Sequence, residues 1–120
     1  MKIYLVDDHK LFREGLKLLL SAQKFVHHIY EASNGKEFVE NLSFVDCDVV
    51  LMDIVMPVMD GLTATREIRK FNTTLPIIAV TANTFDTDSA KAIDAGCNEY
   101  LPKPINRPLL LNALSKVVKL

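Results

Sequence analysis

A chain of 120 residues, 49% hydrophobic and 24% charged, has the make-up of a folded globular domain and room for only one, since compact domains cluster at ~100–150 residues. The formal net charge is −1, with Lys and Arg dispersed among acids, so there is no basic face of the kind that binding a nucleic-acid backbone needs. Cys47 and Cys97 are too few and too far apart for a disulfide framework or a zinc cluster, and are expected as reduced, partly buried thiols.

Met1 leads almost at once into the apolar run Ile3–Val6, and no apolar stretch reaches the ~18 residues of a membrane span, so a cytoplasmic location is expected. Leu11, Phe12, Leu16, Leu19 and Leu20 then recur at helical spacing, followed by a weaker strand-like run around His28–Glu31. Ser33-Asn34-Gly35 opens a second helix carrying Phe38, Val39 and Leu42, which leads through Asp46-Cys47 to Val49–Met52, the most strand-like stretch of the sequence. Gly61 starts a third helix with Leu62, Thr65, Ile68 and Arg69 on successive turns. Pro76 precedes the strand Ile77–Val80, and a helix from Asp86 to Ala95 ends at Gly96, a residue suited to the left-handed conformation. Tyr100-Leu101 is the last strand. The final helix begins near Arg107-Pro108, with Leu110, Leu114, Val117 and Val118 on one stripe. Pro102, Pro104 and Pro108 read as punctuation of a loop.

Five βα units imply a parallel sheet covered by helices on both faces, because each parallel connection needs a right-handed crossover. The class is doubly wound α/β, one domain over residues 1–120, with no internal repeat or linker. In such sheets the ligand site lies at the carboxyl ends of the strands, beside the point where strand order reverses. Asp7 and Asp8 follow the first strand, Asp53 the third, Thr81 the fourth and, after Leu101-Pro102, Lys103 the fifth. If the first and third strands are neighbours, an order that is taken from the resemblance given below, three carboxylates share one crevice with a hydroxyl and an ammonium. Such carboxylates repel one another unless neutralised, and Mg²⁺, which takes oxygen ligands and typically binds through one or two carboxylates plus phosphate oxygens, is the natural occupant. A carboxylate beside it can attack phosphorus to give an aspartyl phosphate, with Lys103 and Thr81 holding the transferred oxygens.

Four segments, Val6-Asp7-Asp8-His9, Leu51-Met52-Asp53 through Asp60-Gly61, Val80-Thr81-Ala82 and Tyr100-Leu101-Pro102-Lys103-Pro104, carry a resemblance to the receiver domain of bacterial two-component response regulators over essentially the whole chain. The resemblance implies a flavodoxin-like, five-stranded parallel sheet of order 2-1-3-4-5 flanked by five helices. It implies that Asp53 accepts a phosphoryl group from a histidine kinase or phosphotransfer protein, and that the chain signals to a downstream protein or output domain without being a metabolic enzyme. Asp8 matches a direct Mg²⁺ ligand, Asp7 a ligand through bound water, and the backbone carbonyl of Val55 a further ligand. Lys103 matches the residue that pairs with the phosphoryl group, and its bond to Pro104 the family's cis peptide. Thr81 and Tyr100 match a switch pair that alters the surface of the fourth helix, fifth strand and fifth helix, with Ala82 small for access. Val55 and Asn83 match positions lining the path of the hydrolytic water.

Plainer roles compete for these residues. Asp7 and Asp8 would suit the cap of the first helix, Lys103 a surface position and Tyr100 a half-buried core. Asp53 lacks such a task, because Met56-Pro57 and Asp60-Gly61 already supply the turn. His27 and His28, adjacent in a strand, would face opposite ways, and His9 sits at the rim of the crevice with no metal or triad role. Glu67 reads as a solvated helix charge. A Mg²⁺-dependent phosphatase using an aspartate nucleophile would carry a second acid two residues on, where this chain has Val55. A flavin or nucleotide binder would need a glycine-rich or Ser/Thr-rich loop after the first strand, where this chain has Asp7-Asp8. Within the family, Asp7-Asp8-His9 with Leu11–Gly15 resembles receivers of DNA-binding regulators, whereas Met59–Arg66 and Gly96–Ile105 resemble receivers fused to sensor kinases.

Overall fold

In the computed structural model of the chain, residues 1–56, 58–82 and 86–118 are described, the side chains of 86–89 aside. Pro57 of the expected turn and Asn83 of the expected water path lie outside the described residues. Strands β1 (Lys2–Val6), β2 (His28–Ala32), β3 (Val49–Asp53), β4 (Ile77–Thr81) and β5 (Glu99–Pro102) alternate with helices α1 (Lys10–Ser21), α2 (Gly35–Asn41), α3 (Gly61–Arg69), α4 (Asp86–Ala95) and α5 (Arg107–Val117), with a short 3₁₀ turn at Leu42–Phe44. The strands form one parallel sheet of order β2-β1-β3-β4-β5, so the doubly wound expectation and its strand order both hold.

Side chains alternate across the sheet with the period of two that a strand imposes. Tyr4, Val6, Val50, Met52, Ile77 and Ala79 pack on one face against Phe38 of α2, Ala64 and Ile68 of α3 and Ala92 of α4. Ile3, Leu5, Val49, Leu51, Ile78 and Val80 pack on the other against Leu16 and Leu20 of α1 and Leu110 and Leu114 of α5. The Phe38 ring is wholly buried and meets Tyr4 edge-on at 4.9 Å. Burying such a ring contributes roughly 1.5–3 kcal/mol. Both β3 and β4 are buried along their whole length, which explains their continuous apolar runs. By contrast, β2 is an edge strand with a partly exposed pattern, which explains its weak signal.

Helix starts are fixed by side chains. Asn34 accepts from the Glu37 amide, Asp60 from the Thr63 amide and Asn106 from the Leu109 amide, each leaving one fewer orphan donor in a first turn. Asp60 is therefore a helix cap as well as a turn residue. Neither Asp7 nor Asp8 caps α1: the cap position is His9, whose side chain makes no capping bond. Leu11, expected on the apolar stripe of α1, faces outward and is 89% exposed. The three prolines also part company, with Pro102 ending edge strand β5, the Lys103–Pro104 bond cis, and Pro108 in the first turn of α5. Glu67 pairs with Lys70 at 3.0 Å on the surface of α3. No described helix is long and apolar enough to cross a membrane.

Two glycines matter to the site. Gly61 brings the start of α3 so close to the end of β3 that a Cβ there would collide with the Asp53 carbonyl. Gly96, with φ +116°, ends α4 in a conformation that side chains disfavour, and its carbonyl receives the Arg69 guanidinium at 2.9 Å. Arg69 also reaches Asn98 at 2.9 Å, so the end of α3 is tied to the approach to β5.

Candidate functional site

Parallel strands end on the same side of the sheet, and neighbours β1 and β3 deliver their terminal acids to one place. Asp7 and Asp53 are 4% and 3% exposed, deep for carboxylates. Asp7 Oδ1 accepts the His9 amide at 2.8 Å and Asp53 Oδ1 the Val55 amide at 3.1 Å. The remaining oxygens, Asp7 Oδ2 and Asp53 Oδ2, receive the Lys103 ammonium at 2.9 and 3.3 Å. Lys103 enters from the end of β5, where its amide donates to the Thr81 carbonyl at 2.8 Å, and its ammonium lies 4.2 Å from the centre of the Phe12 ring. His9, Asp53, Val55, Thr81, Ala82 and Lys103 line a cleft of about 210 Å³.

Asp8 differs from its neighbours. Its Oδ1 is buried and makes no hydrogen bond among the described residues, although His9 Nδ1 lies 3.3 Å away. Leaving a buried carboxylate oxygen unpaired costs about 1–3 kcal/mol or more, and nearby cationic charge would remove that cost. Ligand atoms of Asp7, Asp8, His9 and Asp53 all lie within 4.8 Å of one another, close enough to surround one cation. The chemistry fits a divalent ion: two buried acids, a third with an orphaned oxygen, and one lysine to offset them.

Burial raises the Asp53 pKa above the ordinary carboxylate range, and the charge of Asp7 adds to the rise; the Val55 amide and Lys103 oppose it. Burial beside Asp48 and Asp46 pushes the Cys47 thiol up to about 11, and Cys97 is buried, so both cysteines are free and protonated at neutral pH. Thr81 is wholly buried at the end of β4. Tyr100 is half-buried and sits opposite Ala79, two residues below the level of Thr81, which pairs with Pro102. His27 lies outside β2, its Nδ1 2.7 Å from the N-terminal amine, away from the cluster.

Asp7, Asp8, Asp53, Lys103 and Thr81 are thus gathered as the sequence suggested, with Val55 at the rim. Two further side chains belong to the surroundings, Phe12 beneath the ammonium and Arg13 donating to the Asp7 carbonyl and to Glu31, while His9, expected at the rim, lies among the acids. Their signal was position, since the first turn of a helix that follows β1 lies over the strand ends.

Residues 3–115 match the response regulator receiver domain family. The chain belongs to that family. Among relatives of this receiver domain is the chemotaxis protein CheY of Halobacterium salinarum, 38% identical over 117 residues that cover 98% of this chain and 96% of that protein. The transcriptional regulatory protein YdfI of Bacillus subtilis is 36% identical over 98% of this chain, which spans only 55% of YdfI. Among solved structures, the receiver domain of sensor histidine kinase PA1611 from Pseudomonas aeruginosa superposes with a TM-score of 0.86 at 33% identity, covering 97% of this chain and 95% of that one. That structure has a magnesium ion coordinated in its active site cleft. Receiver domains of both kinds suggested by the motifs, in a transcriptional regulator and in a sensor kinase, are therefore relatives of this one.

Proposed function

We propose that Asp53 accepts a phosphoryl group from the phosphohistidine of a kinase or phosphotransfer protein, and that the resulting aspartyl phosphate switches the surface read by a downstream protein or output domain. One observation carries this reading: the end of the central strand presents a buried carboxylate whose companions are two acids and the Lys103 ammonium, with an open cleft in front of it. A buried acid with no purely structural partner set, in a cleft, is the signature of a reacting group.

Asp7, Asp8 and Asp53, with the backbone carbonyl of Val55, would hold Mg²⁺, which when bound supplies positive charge against the clustered carboxylates and the phosphoryl oxygens. A carboxylate oxygen of Asp53 attacks phosphorus, the P–N bond breaks, and its electron pair stays on the donor imidazole. Lys103, already within reach of Asp53, moves its ammonium onto the new phosphoryl oxygens, and the Thr81 hydroxyl donates to another. The domain comprises residues 1–120, works in the cytoplasm and promotes its own phosphoryl uptake and slow loss; regulation is its output. Val55 lines the cleft with an apolar side chain and cannot orient a water, which favours a long-lived phosphoryl group.

Intact-mass measurement after exposure to a small acyl phosphate tests the metal-dependent half of this reading. The wild type gains one phosphoryl group with Mg²⁺ present and none in chelator, while Asp8→Ala gains little under either condition. Uptake that ignores both Mg²⁺ and Asp8 would contradict it.

A further inference from the structure

Asp8 takes its direction from the two peptide planes beside it, because only two soft dihedrals lie between them. The plane after it is held from within the pocket, where Asp7 Oδ1 accepts the His9 amide at 2.8 Å. The plane before it is held from outside, by the Arg13 guanidinium, whose Nη1 donates to the Asp7 carbonyl. Arg13 stands near the start of α1 with its side chain 15% exposed, and its Nε donates to Glu31 Oε1 on β2 at 3.2 Å. Lys17, one turn further along α1, holds the other oxygen of Glu31 at 3.0 Å. Glu31 pairs in register with Leu5, and the Asp7 amide donates to the neighbouring Ala32 carbonyl at 3.1 Å. The carbonyl that Arg13 grips is thereby tied to the sheet through both β1 and β2.

Charge alone disfavours Arg13 here, since a guanidinium near a cation site repels the cation. We propose that Arg13 is a positioning residue of the pocket: anchored by Glu31, it fixes the Asp7–Asp8 peptide and so aims the Asp8 carboxylate at the cation. The aimed atom is Asp8 Oδ1, which is buried and makes no hydrogen bond among the described residues, so the peptide planes and not a side-chain partner hold it there. This rests on the reading that the pocket binds Mg²⁺, and adds what keeps Asp8 in place for the ion.

Mg²⁺ titrations followed by the backbone amide shifts of Asp8 and His9 read this without any phosphoryl transfer, beside thermal melts in chelator. Arg13→Met removes donor and charge but keeps much of the side chain's length. Its Mg²⁺ affinity falls about tenfold, since partners of metal ligands are worth ~10–100-fold, although the lost charge by itself would tighten binding. Arg13→Lys, which keeps a cationic donor of similar reach, falls less. An Arg13→Met affinity that equals or exceeds the wild type's overturns the proposal whatever happens to Tm, and so does a fall in Arg13→Lys as large as in Arg13→Met. Should Arg13→Met not fold, Glu31→Gln carries the test. Arg13 then loses its anchor, and Mg²⁺ affinity falls even in about 1 M salt, where a screening length of ~3 Å removes through-space charge effects. Unchanged affinity in Glu31→Gln under those conditions overturns the proposal. A wild type that binds no Mg²⁺ contradicts the pocket reading and the proposal with it, whereas a wild type that binds beside an indifferent Arg13→Met defeats the positioning role alone.

Discussion

At the scale of single residues, Asp53 holds a charge that its surroundings oppose. Burial is the main cause of its raised pKa, seconded by Asp7. A group whose folded pKa lies above its unfolded one contributes stability that is fully present below the unfolded value and is lost as pH rises through the folded value. Metal-free and at neutral pH, ionised Asp53 therefore works against folding. Thermal melts in chelator should show Asp53→Asn with a higher Tm than wild type at pH 7, and a gain that shrinks as pH falls through the Asp53 titration. A variant that melts lower at pH 7 would mean that the Lys103 and Val55 contacts outweigh burial. The sequence made Asp53 readable because an acid after a buried strand, with other residues already forming the turn, has nothing structural left to do. Phe12 and Arg13 were not readable in that way. Their site contacts depend on how α1 leans over the strand ends, which the local pattern does not record.

The elements follow the sequence closely where two faces are buried and less closely elsewhere. Strands β3 and β4 were plain, edge strand β2 was faint, and the stripe of α1 was overdrawn by including Leu11, because an apolar residue on a helix is not obliged to face the core. Asn106, which caps α5, was missed beside the louder Arg107-Pro108 signal. The loop between β3 and α3 carries its own strain. Val58 has φ +69° and is 70% exposed, so a β-branched residue occupies the left-handed region with little packing in return. The left-handed conformation costs ~1–2 kcal/mol, and glycine returns roughly 0.5–1 kcal/mol of that in unfolded-chain entropy, so Val58→Gly should stabilise by about 0.5–1 kcal/mol. Urea denaturation reads this as a higher midpoint with unchanged slope. A lower midpoint would show that the Val58 side chain packs usefully after all.

Across the whole molecule, strand order was a feature that local pattern could not supply. Which strands pair is settled by contacts such as Val50 with Ile77 and Val6 with Met52, far apart in sequence, and only the family resemblance carried it. That order also sets the contacts through which the proposed switch would run from the cleft to a distant surface. Lys103 joins the acids directly from β5, its amide is tied to Thr81, and Lys116 of α5 lies 3.9 Å from Glu99 of β5. Under the proposed mechanism, a phosphoryl group on Asp53 would add charge that draws Lys103 and the Thr81 hydroxyl, and the switched state would gain only by such differential contact. With a beryllofluoride mimic, wild-type amide shifts should extend from the cleft into α4, β5 and α5. Tyr100→Ala should still take up the phosphoryl group but shift less on that surface, and Thr81→Ala should weaken the coupling itself. Shifts confined to the cleft in the wild type would contradict a switch of this kind.

The proposed mechanism is tested most directly by where the phosphoryl group goes. Borohydride reduces an aspartyl phosphate to homoserine and leaves free carboxylates untouched, so peptide mapping after phosphorylation in Mg²⁺ and reduction marks the accepting residue. Phosphorylation at Asp53 gives homoserine at position 53, with Asp7 and Asp8 unchanged. Homoserine at position 7 or 8 in place of 53, or a phosphorylated protein with no reducible aspartate at all, would contradict it.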